Sequence, residues 1–157
     1  MPGGGLSDLA SDLIPQLLAL ARVAGAMVLG ALIGAEREAA EKPAGLRTHM
    51  LVAGASALLV TLGEVAVERF TTGGFAGVVR ADPIRILEAI ITGVSFLGAG
   101  TIIRRGAREG IEGLTTAASV LFTAGIGVTV ALDRYVLAVG AALLGLVTLR
   151  LIHRLER

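Results

Sequence analysis

Five long apolar segments constrain this 157-residue chain more than any other feature of its sequence. A helix that crosses a membrane needs about 20 mostly apolar residues, and each segment supplies close to that number. The segments are apolar on all sides, so a water-soluble helical core, which needs polar outer faces, is the weaker alternative. Only 17% of the residues are charged, whereas a soluble domain averages about 25%. The sequence predicts an all-α, polytopic membrane helix bundle with spans at Leu13–Ala35, Thr48–Val67, Ile84–Ile103, Leu114–Leu132 and Tyr135–Ile152.

The basic residues predict the orientation of this bundle. Nine of them fall on the side that holds the C-terminus, four fall on the other side, and Arg22 lies within the first helix. The positive-inside rule therefore places the N-terminus outside and the C-terminus in the cytoplasm. We predict an external tail at residues 1–12, a transmembrane domain at 13–152 and a cytoplasmic tail at 153–157.

Helix-start signals precede three of the segments. Ser11 or Asp12 is predicted to cap the first helix, with Pro15 in its first turn. Asp82 is predicted to cap the third helix, with Pro83 at the first helical position, and Asp133 is predicted to cap the fifth helix. Because the turn at Asp133 is only two residues long, helices four and five are predicted to be antiparallel neighbours.

Composition argues against several function classes. The chain has no cysteine, so disulfides, zinc thiolates and thiol nucleophiles are excluded. A net charge of +1 gives no reason to expect nucleic acid as a partner. His49 is predicted to lie at the membrane interface and His153 in solvent, and no set of nucleophile, base and orienting group can be assembled by spacing. We predict no enzyme activity and no cofactor, and the sequence specifies no metal site.

Small residues on two helices predict close helix packing. Gly30 and Gly34 on helix one have the GxxxG spacing that lets helix backbones approach, within one chain or across a dimer. We predict a compact bundle that self-associates, as a homodimer because two-fold closure is the commonest symmetry. A small, partly polar face on helix four favours a further helix contact, with a polar lining as the alternative; it consists of Thr115, Ser119, Thr123 and Gly127.

Three motif-rich segments meet on the predicted cytoplasmic side. They are Glu36–His49 after helix one, Gly93–Thr101 at the end of helix three, and Gly113–Ser119 at the start of helix four. The first also has the form of a plain charged interfacial loop, and the glycines of the second permit close packing, a kink or a broken helix. The free N–H groups that begin helix four would suit Glu36 or an anion. We predict one network formed by Glu36, Arg37, Arg47, Gly98, Gly100, Thr115 and Thr116.

Charged residues also fall inside three predicted spans, all in the outer half of the membrane. Arg22 is placed roughly 13 Å below the outer end of helix one, where an unpaired arginine costs about 2.5–3.5 kcal/mol. Glu64 and Glu88 are its predicted partners, although both glutamates could instead simply reach the interface. The excess negative charge would suit a cation such as magnesium if water reaches it. A sealed ion pair beside one protonated glutamate explains the sequence equally well.

Several motifs in order resemble the MgtC/SapB family of bacterial inner-membrane proteins. They are Arg22, the runs Gly30–Glu38 and Lys42–His49, Asp82–Pro83, Phe96–Thr101 and Gly113–Ser119. The resemblance implies a multi-pass plasma-membrane protein linked to growth at low magnesium and to survival of pathogens in macrophages. It also implies inhibition of the F-type ATP synthase, which is known for one member. Longer members add a cytoplasmic ACT-like domain, so this sequence resembles either the short form of the family or the membrane domain of a longer member. Glu88 departs from the small or amide residues of many members.

Two functions compete on these observations. A non-enzymatic regulator that binds a membrane partner, such as the F-type ATP synthase, fits the small-residue faces and the lack of a catalytic set. A cation or small-solute transporter or channel fits the intramembrane charges and the glycine-rich end of helix three. Because five helices are few to enclose a path, the transporter would need a dimer interface. The lipid bilayer is the surrounding partner in both cases.

Overall fold

The protein is an all-α bundle of five helices, as predicted. A computed structural model describes residues 6–72, 82–104 and 111–155. Two strands of two residues each, β1 (Ile103–Arg104) and β2 (Ile111–Glu112), pair antiparallel between the third and fourth helices. The helices are α1 Leu6–Ala39, α2 Leu46–Thr72, α3 Pro83–Gly100, α4 Leu114–Ala131 and α5 Tyr135–Leu155.

Three helices in the described part of the chain are long and apolar enough to cross a membrane. The stretches are Ala10–Ala39 in α1, Leu46–Arg69 in α2 and all of α4. Helix α5 adds a shorter apolar stretch, Tyr135–Leu151. The helix count agrees with the prediction, while the orientation of the termini stays a prediction.

The first helix begins at Leu6, seven residues before its predicted start. The predicted cap at Ser11 or Asp12 is wrong because both residues lie inside α1, and Pro15 is an interior residue. An interior proline removes one backbone hydrogen bond, but membrane helices tolerate it better than soluble ones. At 1.5 Å per residue, the 34 residues of α1 extend about 51 Å and the 18 residues of α4 about 27 Å. Helix α1 is therefore much longer than one crossing requires.

Parts of both predicted tails are helical. Residues 6–12 belong to α1, and residues 153–155 belong to α5. The remaining tail residues, 1–5 and 156–157, lie outside the described part of the chain. Residues 73–81 between α2 and α3 and residues 105–110 between α3 and α4 also lie outside it.

The third helix ends at Gly100, three residues earlier than predicted. Its start agrees with the prediction, because the Asp82 carboxylate accepts a hydrogen bond from the backbone N–H of Ile84 at 3.0 Å. At its end, the Thr101 hydroxyl donates to the carbonyl of Gly98 at 2.7 Å. Glycine weakens a helix interior, so the glycine-rich end gives way to the short β1–β2 hairpin, which the sequence did not predict.

Helices α1, α2 and α4 form the centre of the bundle, and each packs against the other two. Helix α3 packs on α2 and α4, and α5 packs on α1 and α4. Ala53 of α2 is fully buried between the two other central helices. A Cβ atom added at Gly30 of α1 would lie 2.9 Å from the Ala53 Cβ, and one added at Gly127 of α4 would lie 2.2 Å from the Ala53 carbonyl oxygen. The three backbones therefore meet with no room for larger side chains.

Candidate functional site

The polar residues of the central helices gather in two clusters. The Arg22 cluster consists of Arg22, Glu64 and Asp133. The His49 cluster consists of Glu36, Arg37, His49, Thr116 and Ser119. Fourteen residues of α1 separate Arg22 from Glu36, a rise of about 21 Å, so the clusters lie at opposite ends of the central helices.

The Arg22 guanidinium joins three parts of the bundle. Its Nε donates to the Asp133 carboxylate at 2.8 Å, and its Nη2 donates to the other oxygen of the same carboxylate. Its Nη1 lies 3.7 Å from the Glu64 carboxylate. Because Asp133 belongs to the turn between α4 and α5, Arg22 of α1 links that turn to α2.

The structure places one of the two predicted partners of Arg22 beside it. Glu64 lies beside the guanidinium, but Glu88 is exposed and makes no ion pair with any residue that the structure describes. Asp133 takes its place. Contact with the α4–α5 turn puts the Arg22 head group level with the end of α4. The same contacts replace the predicted capping role of Asp133, whose carboxylate binds Arg22 and accepts a hydrogen bond from the Tyr135 hydroxyl at 2.6 Å.

The Asp133 carboxylate is held in its charged form. The hydrogen bond from Tyr135, together with the hydrogen bonds and positive charge of Arg22, lowers the pKa of Asp133 below its ordinary value of 3.8. Its side chain is about half exposed, so the cluster is an ion pair at the edge of the bundle rather than a buried charge.

At the opposite end, Glu36 and Arg37 pair with each other. Arg37 Nε donates to Glu36 Oε2 at 2.5 Å and Nη2 donates to Oε1 at 2.8 Å. Both residues are buried. A bidentate arginine–carboxylate pair is a strong, geometrically specific contact, and here it neutralises the two charges locally.

Arg47 and the first turn of α2 differ from the prediction. Arg47 is exposed, and the carboxylate that caps α2 belongs to Glu38, whose Oε2 accepts from the backbone N–H of Leu46 at 2.8 Å. A Cβ added at Gly34 would lie 2.7 Å from the Leu46 Cα. The segment after α1 is thus folded back tightly onto α1.

His49 connects the start of α2 to α4. It was predicted at the interface, but it is fully buried. Its Nδ1 lies 2.9 Å from the Gly45 carbonyl oxygen and its Nε2 lies 3.0 Å from the Ser119 Oγ. Ser119 Oγ lies 2.9 Å from the Thr116 carbonyl oxygen. This chain of hydrogen bonds, rather than Arg37 or Arg47, joins the first and third motif segments.

The second motif segment contacts the start of α4 at two glycines, Gly98 and Gly113. Gly113 precedes α4 with φ of +91°, and a Cβ there would lie 2.0 Å from the Thr101 carbonyl oxygen. Gly98 lies against Ala117, where an added Cβ would be 3.4 Å from the Ala117 Cβ. Gly100 faces open space and Thr115 is exposed.

The small face of α4 is largely buried, as a helix contact requires. Ser119, Thr123 and Gly127 are all buried, whereas Thr115 is not. Gly127 of α4 packs against α2, and Gly30 and Gly34 of α1 also pack against α2. The hydroxyl of Thr123 is buried with no hydrogen-bond partner. The GxxxG glycines of α1 thus serve packing within one chain.

Cavities border both clusters. One of about 960 Å³ runs between α4 and α5, and its lining includes Ser119, Phe122 and Gly140. A second, of about 530 Å³, lies beside Arg22 and Asp133, and a third, of about 550 Å³, lies beside Glu64. The described residues contain no group of three His, Cys, Asp or Glu side chains placed to hold a metal ion.

Comparison with known proteins identifies the family of this chain. The family model described as the MgtC family matches residues 23–157, which include both clusters except Arg22. The chain belongs to the MgtC family. The resemblance predicted from the motifs is therefore confirmed, and the chain is an MgtC-family membrane protein.

Three relatives illustrate the match. A Haemophilus influenzae protein named "Uncharacterized protein" is 36% identical over 142 residues, which cover 90% of this chain and 58% of the relative. The Escherichia coli K12 protein named "Putative magnesium transporter YhiD" is 38% identical over 138 residues, which cover 85% of this chain and 59% of the relative. The Salmonella typhimurium protein MgtC is 40% identical over 119 residues, which cover 76% of this chain and 46% of the relative. The chain thus spans about half the length of these relatives, and no solved structure matches it.

Sequence reasoning missed the roles of three members of the clusters in this MgtC-family protein, of which His49 was assigned to the membrane interface. Asp133 was assigned to a helix cap because it stands just before α5, although it is the sole acid between Leu114 and Arg157 apart from Glu156. Ser119 was assigned to a packing face, and its contact with His49, 70 residues away, had no local signal.

Proposed function

We propose that this MgtC-family chain is a multi-pass inner-membrane regulator, not an enzyme, that acts by binding another membrane protein under magnesium limitation. The names of its relatives support the link to magnesium. Its helices and basic residues support several crossings with the C-terminus in the cytoplasm. The F-type ATP synthase is the partner that the family resemblance suggests.

The packing of the three central helices carries this proposal. Backbone atoms of neighbouring helices stand within 3 Å of the Cβ positions of Gly30, Gly34 and Gly127. A solute path between these helices would require their backbones to separate. The charges at both ends are also already paired, Arg22 with Asp133 and Arg37 with Glu36. A closely packed bundle suits binding at its surface better than passage through its centre.

The groove between α4 and α5 supports contact with a partner helix. It is lined mostly by apolar and small side chains, and small residues let transmembrane helices approach closely. Gly140 lies in this groove with nothing within 4 Å of its Cβ position. Gly93 on α3 is equally open but lies outside the groove.

A matched pair of variants tests the proposal. Gly140→Leu adds a side chain in the groove, where its Cβ has no described atom within 4 Å, and Gly93→Leu adds the same side chain at an equally open position elsewhere. In inverted membrane vesicles, wild type and Gly93→Leu should lower ATP-driven proton pumping and co-purify with the ATP synthase, whereas Gly140→Leu should do neither. Unchanged pumping with wild type would reject the ATP synthase as the partner. Equal effects of the two variants would reject the groove.

Transport across a dimer interface is the second candidate, favoured by the name of the Escherichia coli relative, putative magnesium transporter YhiD. The open cavity beside Glu64, whose lining also includes Glu68, is the place where a second copy would complete a cation path. Magnesium flux into liposomes that contain the purified protein tests this directly. Flux above that of empty liposomes, abolished by Glu64→Gln, would favour transport. Mass measurement in mild detergent tests the predicted dimer.

A further inference from the structure

Three hydrogen-bond contacts link Gly45, His49, Ser119 and Thr116, one more than a neutral imidazole and a single hydroxyl can supply with donors. The Gly45 carbonyl can only accept a hydrogen bond, so the Nδ1 atom 2.9 Å away must carry a proton. In a neutral imidazole Nε2 is then an acceptor, and the Ser119 hydroxyl must donate to it. That hydroxyl also lies 2.9 Å from the Thr116 carbonyl oxygen, which again can only accept. A hydroxyl has a single proton, so the neutral form leaves one of these contacts without a donor of its own.

The doubly protonated imidazolium satisfies every contact. Nδ1–H donates to Gly45, Nε2–H donates to Ser119 Oγ, and the Ser119 hydroxyl donates to Thr116. When Nε2 releases its proton, its lone pair becomes the acceptor, and the Ser119 hydroxyl must turn away from Thr116 towards His49. Each protonation state therefore has its own arrangement of hydrogen bonds between α2 and α4.

The charged groups around His49 oppose one another, are engaged elsewhere or are exposed. From α1, the charged groups that act on it are Glu36 and Arg37, which are paired with each other. Helix α4 carries no charged residue, and on the segment that leads into α2 Glu41, Lys42 and Arg47 are exposed. Glu38 is engaged with the backbone of Leu46. A buried imidazolium costs solvation energy, and charge-assisted hydrogen bonds to Gly45 and Ser119 offset that cost.

Ser119 also gives the buried imidazole a connection to the outside. Its side chain lines the cavity of about 960 Å³ between α4 and α5. A proton that leaves Nε2 for the Ser119 oxygen requires the hydroxyl to release its own proton in turn, and water in the cavity would be the acceptor for that proton. We propose that His49 is a proton-binding site coupled through Ser119 to the α2–α4 contact. The proposal goes beyond the proposed function, since it requires no partner.

Nitrogen NMR of labelled histidine in lipid nanodiscs tests this site. The chain has two histidines, so a His153→Gln background leaves His49 as the sole reporter. Between about pH 5 and 8, the spectrum should change from two protonated ring nitrogens to one, and the neutral form should keep its proton on Nδ1. A spectrum that stays constant over that range, or a neutral form protonated on Nε2, would overturn the proposal.

Two variants on one face of α4 separate the role of Ser119 from a general packing effect. Ser119→Ala removes the acceptor of Nε2–H, and because hydrogen bonds to charged groups are about twice as strong as neutral ones, the proton affinity of His49 should fall about fivefold. Thr123→Ala removes an equally buried hydroxyl that has no hydrogen-bond partner, and should leave the titration unchanged. Equal titration of wild type and Ser119→Ala, or equal shifts in both variants, would refute the coupling. If Ser119→Ala does not fold, the position of the neutral proton in the unmodified chain still decides the outcome.

Discussion

Replacing Gly127 by alanine should destabilise the bundle, although alanine is the better helix former. The added Cβ would lie 2.2 Å from the Ala53 carbonyl oxygen and 3.0 Å from its Cα. Ordinary contact begins at 3.4 Å, so the oxygen is more than 1 Å too close. These are backbone atoms of α2, which cannot rotate away, and α4 must therefore move outward. Overpacking of this kind costs about 1–3 kcal/mol, and more where the backbone itself must shift.

Gly125, two residues away, provides the matched control. Its Cβ position has nothing within 4 Å, so Gly125→Ala meets no obstacle. Alanine gains up to about 1 kcal/mol over glycine in a helix interior, and less if the separated helices remain helical in detergent. The two substitutions are chemically identical, so about 1–4 kcal/mol between them measures the contact with α2.

Unfolding by sodium dodecyl sulfate, followed by circular dichroism in mixed micelles, measures this difference without labels. The chain has no tryptophan and one tyrosine, which makes fluorescence a poor probe. Gly127→Ala should unfold at a lower detergent fraction than wild type, and Gly125→Ala at an equal or higher one. If both variants unfold together at or above the wild-type midpoint, α2 and α4 do not cross with their backbones in contact, and the argument from packing fails.

Three further predictions concern the charged residues. Arg22→Leu and Asp133→Asn should each lower stability in the same unfolding assay, and the double variant should lose less stability than the two single losses added together. The losses from Arg22→Leu and Glu88→Gln should instead be additive. Additive losses with Asp133→Asn and non-additive losses with Glu88→Gln would restore Glu88 as the partner. Because the pKa of Asp133 is lowered in the folded state, its carboxylate contributes stability fully above its ordinary value of 3.8, and that contribution is lost as the pH falls through the folded pKa. Asp133→Asn should remove this part of the acid sensitivity, and an unchanged pH profile would contradict it. A reporter fused after Arg157 should be cytoplasmic, and a periplasmic signal would reverse the predicted orientation.

The sequence predicted the helices well because the lipid environment restricts them so strongly. Hydropathy located all five helices, and α4 begins at the predicted Leu114. The errors arose where local rules have exceptions in membranes. Pro15 was taken as a first-turn residue, as it would be in a soluble helix, and this shortened α1 at its start. The end of α3 was set by hydropathy alone, which does not register that glycines followed by Thr101 favour a turn.

The clusters were harder to predict than the helices because their contacts are set by the packing of distant segments. Arg22 was recognised as needing a partner, which follows from the cost of an unpaired charge. Glu88 was chosen because it lies inside a predicted span in the outer half of the membrane, whereas Asp133 was assigned to the cap of α5. His49 was judged from its position near the end of a helix, where interfacial exposure is common. His49 is buried because α1 packs tightly against the start of α2 at Gly34 and because Ser119 of α4 contacts its ring.

The two clusters also explain how a bundle built on small residues acquires a fixed register. Lipid chains are as apolar as the helices, so packing and polar contacts, rather than the hydrophobic effect, hold transmembrane helices together. The contact at Gly127 admits no Cβ atom, so sliding α4 by one turn would bring the side chain of Thr123 or Ala131 against the backbone of Ala53. The same slide would break the hydrogen bonds from Arg22 to Asp133 at one end and from His49 to Ser119 at the other. The glycine contacts therefore set how closely α1, α2 and α4 approach, and the glycine and polar contacts together set their axial alignment.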